Sequence, residues 1–230
     1  MGPGMAMNMQ SAFKRPAVLA IAALGLVAAC GNAPGRVDYK SELIAAFGKK
    51  SAQTPDVDIA AALKVTPKPL SLVVREQDKT TAIILEAERN GPYRTFITSA
   101  RQTLTLRQGV VTATRGIGND LMSSDVEDTL RLLRARQPGH TRRVMRYLTG
   151  DEHTIAFSFD CTMAVGETQT INSGEISAQV RVMTEKCSGD GLQFTNTYMV
   201  DHAGEVLGSR QWINPTMGSV GIQVLRRSAV

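Results

Sequence analysis

Apolar and polar residues alternate with a period of two through most of the chain beyond Pro69. The segments LSLVVRE and TTAIILEAER show strand-like patterns, and the second is apolar on both faces, which is typical of a central strand. In LTLRQGVVTATR, the pair Gln108–Gly109 separates two alternating segments and predicts the turn of a β-hairpin. These patterns predict consecutive antiparallel strands.

The alternation continues through two longer segments in the second half of the chain. In HTIAFSFDCTMAV, the residues on the face that we predict to be buried are Ile155, Phe157, Phe159, Cys161 and Met163. In EISAQVRVMTEKC, the residues predicted to be buried are Ile176, Ala178, Val180 and Val182. Both segments are therefore predicted to be strands that line the core.

A helical spacing of apolar residues interrupts the strands in SSDVEDTLRLLRARQPG. Val126, Leu130 and Leu133 form its apolar face. Ser124 is the predicted N-cap, and Pro138–Gly139 is the predicted end of the helix. Few helices among many strands predict a mainly β fold: one large curved antiparallel sheet, a sandwich or an open barrel, with two short helices.

The N-terminus has a basic segment followed by an apolar one. Lys14 and Arg15 precede residues 16–29, which carry no polar or charged side chain and are fewer than the roughly 20 residues that a membrane-spanning helix needs. A basic start, a short apolar core and small residues before a cleavage site are typical of a secretory signal peptide. We therefore expect residues 1–29 to be removed on export.

The motif VAAC, ending at Cys30, resembles the lipobox of bacterial lipoproteins, in which the cysteine thiol is linked to diacylglycerol before cleavage. We therefore expect Cys30 to be lipidated. Buried acyl chains contribute about 0.8 kcal/mol for each CH₂ group, so such an anchor would hold the protein at the membrane. An ordinary signal peptide with an incidental cysteine is the alternative. In many lipoproteins an aspartate directly after the lipidated cysteine retains the protein in the inner membrane, but this chain has Gly31 at that position. The expected location is therefore the outer membrane, facing the periplasm.

These sequence features divide the chain into three regions. Residues 1–29 are the signal peptide, and residues 30–55 are a lipidated tether with one short helix in VDYKSELIAAFGKK. Residues 56–230 are predicted to form a single β-rich periplasmic domain. The residues before Lys14 indicate an extended signal sequence or a start codon placed too early.

The charge of the chain narrows the range of partners. Cleavage after residue 29 removes one Lys and one Arg and no acid, which lowers the net charge from +5 to +3. This mild positive charge weakly favours polyanionic partners or a negative lipid surface. The chain lacks the interleaved basic and aromatic residues of a nucleic-acid groove, so nucleic acid is not an expected partner.

Cys161 and Cys187 are the thiols that remain if Cys30 is lipidated. An even pair in the oxidising periplasm predicts a disulfide, which would close a loop of about 25 residues and contribute roughly 3 to 4 kcal/mol. However, Cys187 has the opposite parity to Val180 and Val182, so a regular strand would point it away from the predicted core. Two free thiols therefore stay the alternative.

The sequence shows no motif of a catalytic or metal site. His140, His153 and His202 lie in or beside predicted turns, without a partner at metal-ligand spacing, and are expected to be exposed. Glu86 and Glu88 would share a strand face like the acid pair of a glycosidase, but a solvated strand end is favoured there. We therefore predict no catalytic residue, no metal ligand and no cofactor.

Two features are candidates for ligand binding. The first is a stretch with six arginines: Arg131, Arg134, Arg136, Arg142, Arg143 and Arg146. A guanidinium group can bind a carboxylate or phosphate through two parallel hydrogen bonds, so this stretch could contact an acidic polymer, lipid headgroups or a partner protein. The alternative is a solvent-exposed helix end and strand without a ligand. The second is Trp212, which would either stack on a sugar ring or pack against the rim of the sheet.

Three segments carry a resemblance to a known family. They are the hairpin LTLRQGVVTATRGIGNDL, the EKC at Glu185–Cys187 and the closing FTNTYMVDHAGEVLGSRQWINP. From about Val37 onward, the chain resembles the YjbF/GfcB lipoproteins of exopolysaccharide and group 4 capsule operons. The resemblance implies a mainly β periplasmic domain that is anchored in the outer membrane and encoded beside polysaccharide export genes. Together with the lipobox, it makes outer-membrane lipid, through acylated Cys30, and polysaccharide or other export proteins the expected partners. It implies no catalytic residues, and the six arginines are not part of it.

The function that we expect is a non-enzymatic role in the assembly or export of exopolysaccharide or capsule. Two other classes stay open: a periplasmic hydrolase that modifies the polysaccharide, and a carrier that holds apolar cargo in a half-barrel cavity. An enzyme needs convergent polar groups in a cleft, and a carrier needs a dry concave face lined by Leu, Ile and Met. An accessory factor is expected to present a polar or arginine-lined surface.

Overall fold

The computed structural model describes residues 57–149 and 153–227. Within them the fold is mainly β, with one antiparallel sheet and two short helices, which confirms the predicted fold class. The predicted signal peptide, Cys30, the tether and the helix in VDYKSELIAAFGKK lie outside the described residues.

Twelve strands make up the sheet in the described part of the chain. In chain order, β1 to β12 are Leu70–Arg75, Thr81–Asn90, Tyr93–Ile97, Thr103–Arg107, Val110–Arg115, Leu121–Ser124, Gly139–Leu148, Thr154–Ser173, Ile176–Gly189, Leu192–Asp201, Val206–Asn214 and Gly218–Arg226. Helix α1 spans Ile59–Val65, and helix α2 spans Glu127–Ala135. Neither of these helices has the length and apolar content to span a membrane.

The strand order is β5-β4-β3-β2-β1-β12-β11-β10-β9-β8-β7-β6. The last strand pairs with the first, so two series of hairpins join into one sheet. The edge strands β5 and β6 come together, because the Leu121 amide donates to Thr114 Oγ1 and Arg115 Nη1 donates to the Leu121 carbonyl, each at 3.0 Å. The sheet therefore curls into a nearly closed, barrel-like form rather than a sandwich.

The turn between β4 and β5 forms where the sequence predicts it. Gln108 and Gly109 adopt φ angles of 49° and 84°, and Arg107 pairs with Val110 across the hairpin. Two successive residues with positive φ give the turn a twist that matches the right-handed twist of the strands. This hairpin prediction is confirmed.

The apolar face of α2 is also as predicted, since Val126, Leu130 and Leu133 are buried. The prediction of Ser124 as N-cap is wrong. Ser124 is the last residue of β6 and pairs with Met145 of β7, so the helix begins only after Val126, which makes no side-chain capping bond. Strand pairing therefore takes precedence over the local capping signal.

The end of α2 also differs from the sequence prediction. The helix stops at Ala135, because Arg136 adopts a left-handed conformation with φ of 50° and its amide turns back to Leu132 and Leu133 carbonyls. Pro138–Gly139 lies beyond this cap, and Gly139 already begins β7.

Strand β9 is buried on both faces, which the sequence interpretation did not anticipate. Its pairing with β10 shows no register shift, so Val180 and Cys187 lie on opposite faces, as their parity requires. Val180 packs in a small cluster with Met199 and Leu207, while Cys187 belongs to the main core. We call the face that carries the main core the inner face. The assumption that only one face of this strand is buried was wrong.

The other buried-face predictions hold in part. In β8, Phe159, Cys161 and Met163 are buried, whereas Phe157 is half-buried and Ile155 is 42% exposed. Ile155 is exposed because β8 begins at Thr154, at the margin of the core. In β9, Ile176 and Val180 are buried, and Ala178 and Val182 are half-buried.

Helix α1 was not predicted from the sequence. Asp58 is its N-cap, with the side chain accepting a hydrogen bond from the Ala61 amide at 2.9 Å, and none of its residues is buried. At its other end, Arg226 of β12 donates to the carbonyls of Leu63 and Thr66. Arg226 thus ties the C-terminal end of this helix to the sheet.

Candidate functional site

The interior of the sheet contains a buried ion pair between β7 and β9. Arg143 Nε lies 3.4 Å from Glu185 Oε2, and the two side chains are 1% and 0% exposed. Arg143 lies on the inner face with Met145, and Glu185 lies between Met183 and Cys187 on the inner face of β9. A charge buried this deeply is stable only when it is paired and hydrogen-bonded.

The carboxylate of Glu185 has hydrogen-bond donors at both oxygens. Thr129 of α2 at 2.6 Å and Thr141 of β7 at 3.2 Å donate to Oε1. Asn196 at 2.9 Å and Tyr198 at 3.0 Å, both of β10, donate to Oε2. The network therefore joins the helix to three strands of the sheet.

These contacts fix the charge states of the network. Burial alone would raise the pKa of Glu185, but the Arg143 guanidinium and the hydrogen bonds from Thr129, Asn196 and Tyr198 hold the pKa below its ordinary value. Burial raises the pKa of Tyr198 well above its ordinary value. Glu185 is thus a charged carboxylate with hydrogen-bond donors at both oxygens. A general acid or base differs from it, because such a group needs a pKa near the working pH.

The prediction that Arg143 belongs to a surface is wrong, because alternation along β7 places it on the inner face. The exposed arginines of the predicted set are Arg131, Arg134, Arg136, Arg142 and Arg146. Three of them lie on or directly after α2, whereas Arg142 and Arg146 lie on the outer face of β7. The stretch is therefore divided among the interior, the helix and the outside of the sheet.

Cys161 and Cys187 are directly opposite each other in β8 and β9, with Cα atoms 4.1 Å apart, and their sulfur atoms form a disulfide. Their ligand atoms and a carboxylate oxygen of Glu185 lie within 4.8 Å of one another, which is close enough for a metal site. The disulfide uses both sulfur atoms and Glu185 accepts hydrogen bonds at both oxygens, so we assign no metal to this cluster.

Trp212 is half-buried and packs within an aromatic cluster. Its ring stacks on Phe194, with centroids 4.5 Å apart and planes at 8°, and it meets Phe159 edge-on at 6.1 Å. One face of the indole is therefore covered by Phe194, which leaves a single face for the predicted stacking on a sugar ring.

The remaining sequence candidates do not converge on a site. His140, His153 and His202 are exposed. A register shift in β2 between Glu86 and Glu88 places these two side chains on opposite faces, so the glycosidase-like arrangement does not form. Glu86 instead binds arginine, as described next.

A cleft of about 290 Å³ lies beside the C-terminal end of α2. Arg94 of β3, Arg134 of α2, and Arg226 and Arg227 at the end of β12 contribute to its lining, together with Glu205 from the turn between β10 and β11. Of these arginines, the sequence analysis identified only Arg134. The others are distant in the sequence, and no local pattern indicates that they meet.

Each arginine of the cleft is held by a carboxylate. The ion pairs are Arg94–Glu86 at 2.5 Å, Arg134–Glu127 at 3.4 Å, Arg226–Glu175 at 2.5 Å, Arg227–Asp201 at 3.0 Å and Arg227–Glu205 at 2.9 Å. Glu205 is the one acid of these pairs that lines the cleft. The guanidinium groups are thus fixed in position largely by carboxylates outside the cleft lining.

Two glycines allow the walls of the cleft to approach each other. Gly204, with φ of +81°, lies so close to α2 that a Cβ atom there would be 3.0 Å from the Arg134 backbone. A Cβ at Gly109 would be 2.6 Å from the Val206 side chain. The cleft therefore depends on tight packing between two turns, the end of the helix and strand β11.

The comparison with protein families identifies the type of protein. Residues 40–225 match the family model described as group 4 capsule polysaccharide lipoprotein gfcB, YjbF. The chain belongs to the YjbF family. The match extends over β1 to β11 and nearly all of β12, so it includes the buried network and most of the cleft. The family prediction made from the sequence is confirmed.

A solved structure supports the fold of this YjbF-family chain. This chain is similar to the crystal structure of the hypothetical lipoprotein YmcC from Escherichia coli K12, with a TM-score of 0.64 over 76% of this chain and 92% of that chain. The sequence identity is 15%, so the similarity concerns the fold alone. Among curated proteins, none matches this YjbF-family sequence.

Proposed function

We propose that this YjbF-family chain is an outer-membrane lipoprotein that supports the assembly or export of an extracellular polysaccharide without catalysing a reaction. The observation that carries the proposal is the family match over residues 40–225, whose description names capsule polysaccharide and a lipoprotein. The arginine-lined cleft gives the chain a surface with the chemistry to contact such a polymer.

The lipid anchor in this proposal is Cys30, at the end of the lipobox VAAC, followed by Gly31. We expect the mature protein to begin with acylated Cys30 and to fractionate with the outer membrane. Cys30→Ser should move the protein to the soluble periplasmic fraction, because acyl chains supply the membrane affinity. An unmodified N-terminus at another residue in mass spectrometry would contradict this part of the proposal.

The absence of catalysis is supported by the polar groups that the described residues bring together. The interior carboxylate, Glu185, is engaged by Arg143 and by four hydrogen-bond donors. Among the described residues that line the cleft there is no histidine or cysteine, and the carboxylate of Glu205 is paired with Arg227. A nucleophile with an adjacent base, which covalent catalysis requires, is not assembled among these groups.

Deleting the gene tests the proposal. Under conditions that induce the polysaccharide, the deletion strain should carry less of it at the surface, and the wild-type gene on a plasmid should restore it. Polysaccharide accumulating inside the deletion strain would agree with a role in export. Normal surface polysaccharide in the deletion strain would reject the proposed function.

A further inference from the structure

The residues that line the arginine-lined cleft indicate a class of ligand. We propose that it binds an acidic sugar residue, with the sugar carboxylate held by the guanidinium groups of Arg94, Arg134 and Arg227; this assignment rests on the proposed function. The cleft's volume of about 290 Å³ lies near the lower limit of small-molecule pockets, roughly 300 Å³, which suits one or two sugar residues.

Three of the arginines keep donors for a ligand. Arg94 bonds Glu86 through Nε and Nη2, and Arg134 bonds the Leu130 carbonyl and Glu127 through the same two nitrogens. Each of these two therefore keeps its Nη1 group for the cleft. Arg227 pairs with Asp201 through Nη2 and with Glu205 through Nη1, and it keeps its Nε donor. A guanidinium group has five N–H donors, so one carboxylate partner does not exhaust it.

The fourth arginine, Arg226, has a structural role instead. All three of its nitrogens are used, by Glu175 and by the carbonyls of Leu63 and Thr66 at the end of α1. It anchors α1 beside the cleft and is not part of the proposed contact.

Donor geometry and preorganisation favour an anion in this position. The lining contains four arginines and one carboxylate, Glu205, and the other carboxylates that pair with these arginines lie outside it. The charged groups that line the cleft are therefore mostly guanidinium donors. The pairing moderates the attraction but fixes each side chain, which lowers the entropy lost on binding. Arg94 is further held over the ring of Phe96, at 5.2 Å from its centroid.

Apolar groups complete the site. Pro92 is exposed and Val224 is half-buried in the lining, where they can contact the C–H face of a sugar ring. Phe96, Leu106 and Val206 also line the cleft and are almost completely buried. A combination of guanidinium donors and an apolar wall fits a charged sugar ring better than a free phosphate ion.

Calorimetric titration of the full chain in a non-ionic detergent tests the assignment. The probes are a trisaccharide of galacturonate and the neutral trisaccharide of galactose with the same linkage. We expect the acidic trisaccharide to bind at millimolar concentration, and the neutral one to bind at least tenfold more weakly, about the effect of losing a charge-assisted contact. Equal binding of the two, or no binding of the acidic one, would overturn the proposal.

A pair of matched double variants locates the binding. Arg94→Gln/Arg134→Gln removes two guanidinium groups of the cleft, and Arg131→Gln/Arg142→Gln removes the same charge from exposed positions outside its lining. We expect at least roughly tenfold weaker binding for the first and no change for the second. Equal losses would indicate diffuse charge attraction and overturn the proposal. Arg134→Gln alone, a change on the helix surface, provides the test if the first double variant does not fold.

An anionic lipid headgroup is the competing occupant. Glycerophosphoglycerol, the water-soluble headgroup of phosphatidylglycerol, is titrated in the same way. Binding of this compound through Arg94 and Arg134, without binding of the acidic trisaccharide, would replace the sugar assignment. Normal polysaccharide in the deletion strain would reject the proposed function while leaving the measured sugar binding intact; an impaired deletion strain without sugar binding would reject the cleft assignment alone.

Discussion

Arg143 and Glu185 form an ion pair across the inner face of the sheet, with Nε 3.4 Å from Oε2 and both side chains buried. The pair connects β7 with β9 across the intervening strand β8, beside the Cys161–Cys187 disulfide. The hydroxyl of Thr129 in α2 donates to the same carboxylate. This buried ion pair therefore connects helix α2 with strands β7 and β9.

Removing this carboxylate charge should destabilise the protein strongly. Glu185→Gln leaves the Arg143 guanidinium buried without a counter-ion, for which we expect a loss of about 3 to 5 kcal/mol in the free energy of unfolding. Chemical denaturation measures the change. Arg142→Gln, at the exposed neighbouring position of the same strand, is the control and should change stability by less than about 0.5 kcal/mol. Equal midpoints for the two variants would contradict the structural role of the pair.

The same pair predicts how stability depends on acid. The folded state holds the pKa of Glu185 below its ordinary value of 4.5, so the ionised carboxylate stabilises the protein above that pH and the stabilisation is lost as the pH falls through the folded pKa. The free energy of unfolding should therefore fall below pH 4.5.

The acid response should be shallower in Glu185→Gln than in the wild type. It should not vanish, because Asp78 and Glu175 also have lowered pKa values, through hydrogen bonds from Arg75 and Arg226. Denaturation at a series of pH values gives both slopes. Identical slopes would show that Glu185 does not ionise as the structure indicates.

The disulfide should contribute measurably to stability. Cys161 and Cys187 are separated by 26 residues, a loop for which the chain-entropy model gives roughly 3 to 4 kcal/mol. Reductant should lower the denaturation midpoint of the wild type and leave that of Cys161→Ala/Cys187→Ala unchanged. Recovery of both residues as free thiols, by peptide mapping of protein from an oxidising host, would contradict the bond.

Close packing at the cleft predicts a difference between two glycines with positive φ. Gly204→Ala causes backbone strain of about 1 to 2 kcal/mol and also places a Cβ atom 3.0 Å from the Arg134 backbone. Gly91→Ala has comparable strain, at φ of +54°, but no atom within 4 Å. Thermal unfolding should therefore show a larger loss for Gly204→Ala. Equal losses would mean that the turn and the helix can separate without cost.

The sequence predicted the strands well because their local signals agree with the final fold. The Gln108–Gly109 turn has residues suited to positive φ, and the alternation around Phe159 matches the inner face of β8. The N-cap at Ser124 failed because β6 extends into the capping motif. Local patterns were therefore reliable where no tertiary contact competed with them.

The buried network had a signal in the sequence that was overlooked. Thr141, Arg143, Met145 and Tyr147 alternate with exposed or half-buried residues, so the apolar members of this set already indicated that Arg143 faces inward. The cleft had no such signal. Arg94, Arg134 and Arg227 belong to distant parts of the chain, and they meet only in the folded structure.

Complementation of the deletion strain tests whether this chain supports the assembly or export of a polysaccharide through its arginine-lined cleft. Surface polysaccharide is quantified after expression of Arg94→Gln/Arg134→Gln or Arg131→Gln/Arg142→Gln, at equal protein levels in the membrane. We expect full restoration by the second variant, whose arginines lie outside the cleft, and only partial restoration by the first. Full restoration by Arg94→Gln/Arg134→Gln would show that the cleft has no part in the function.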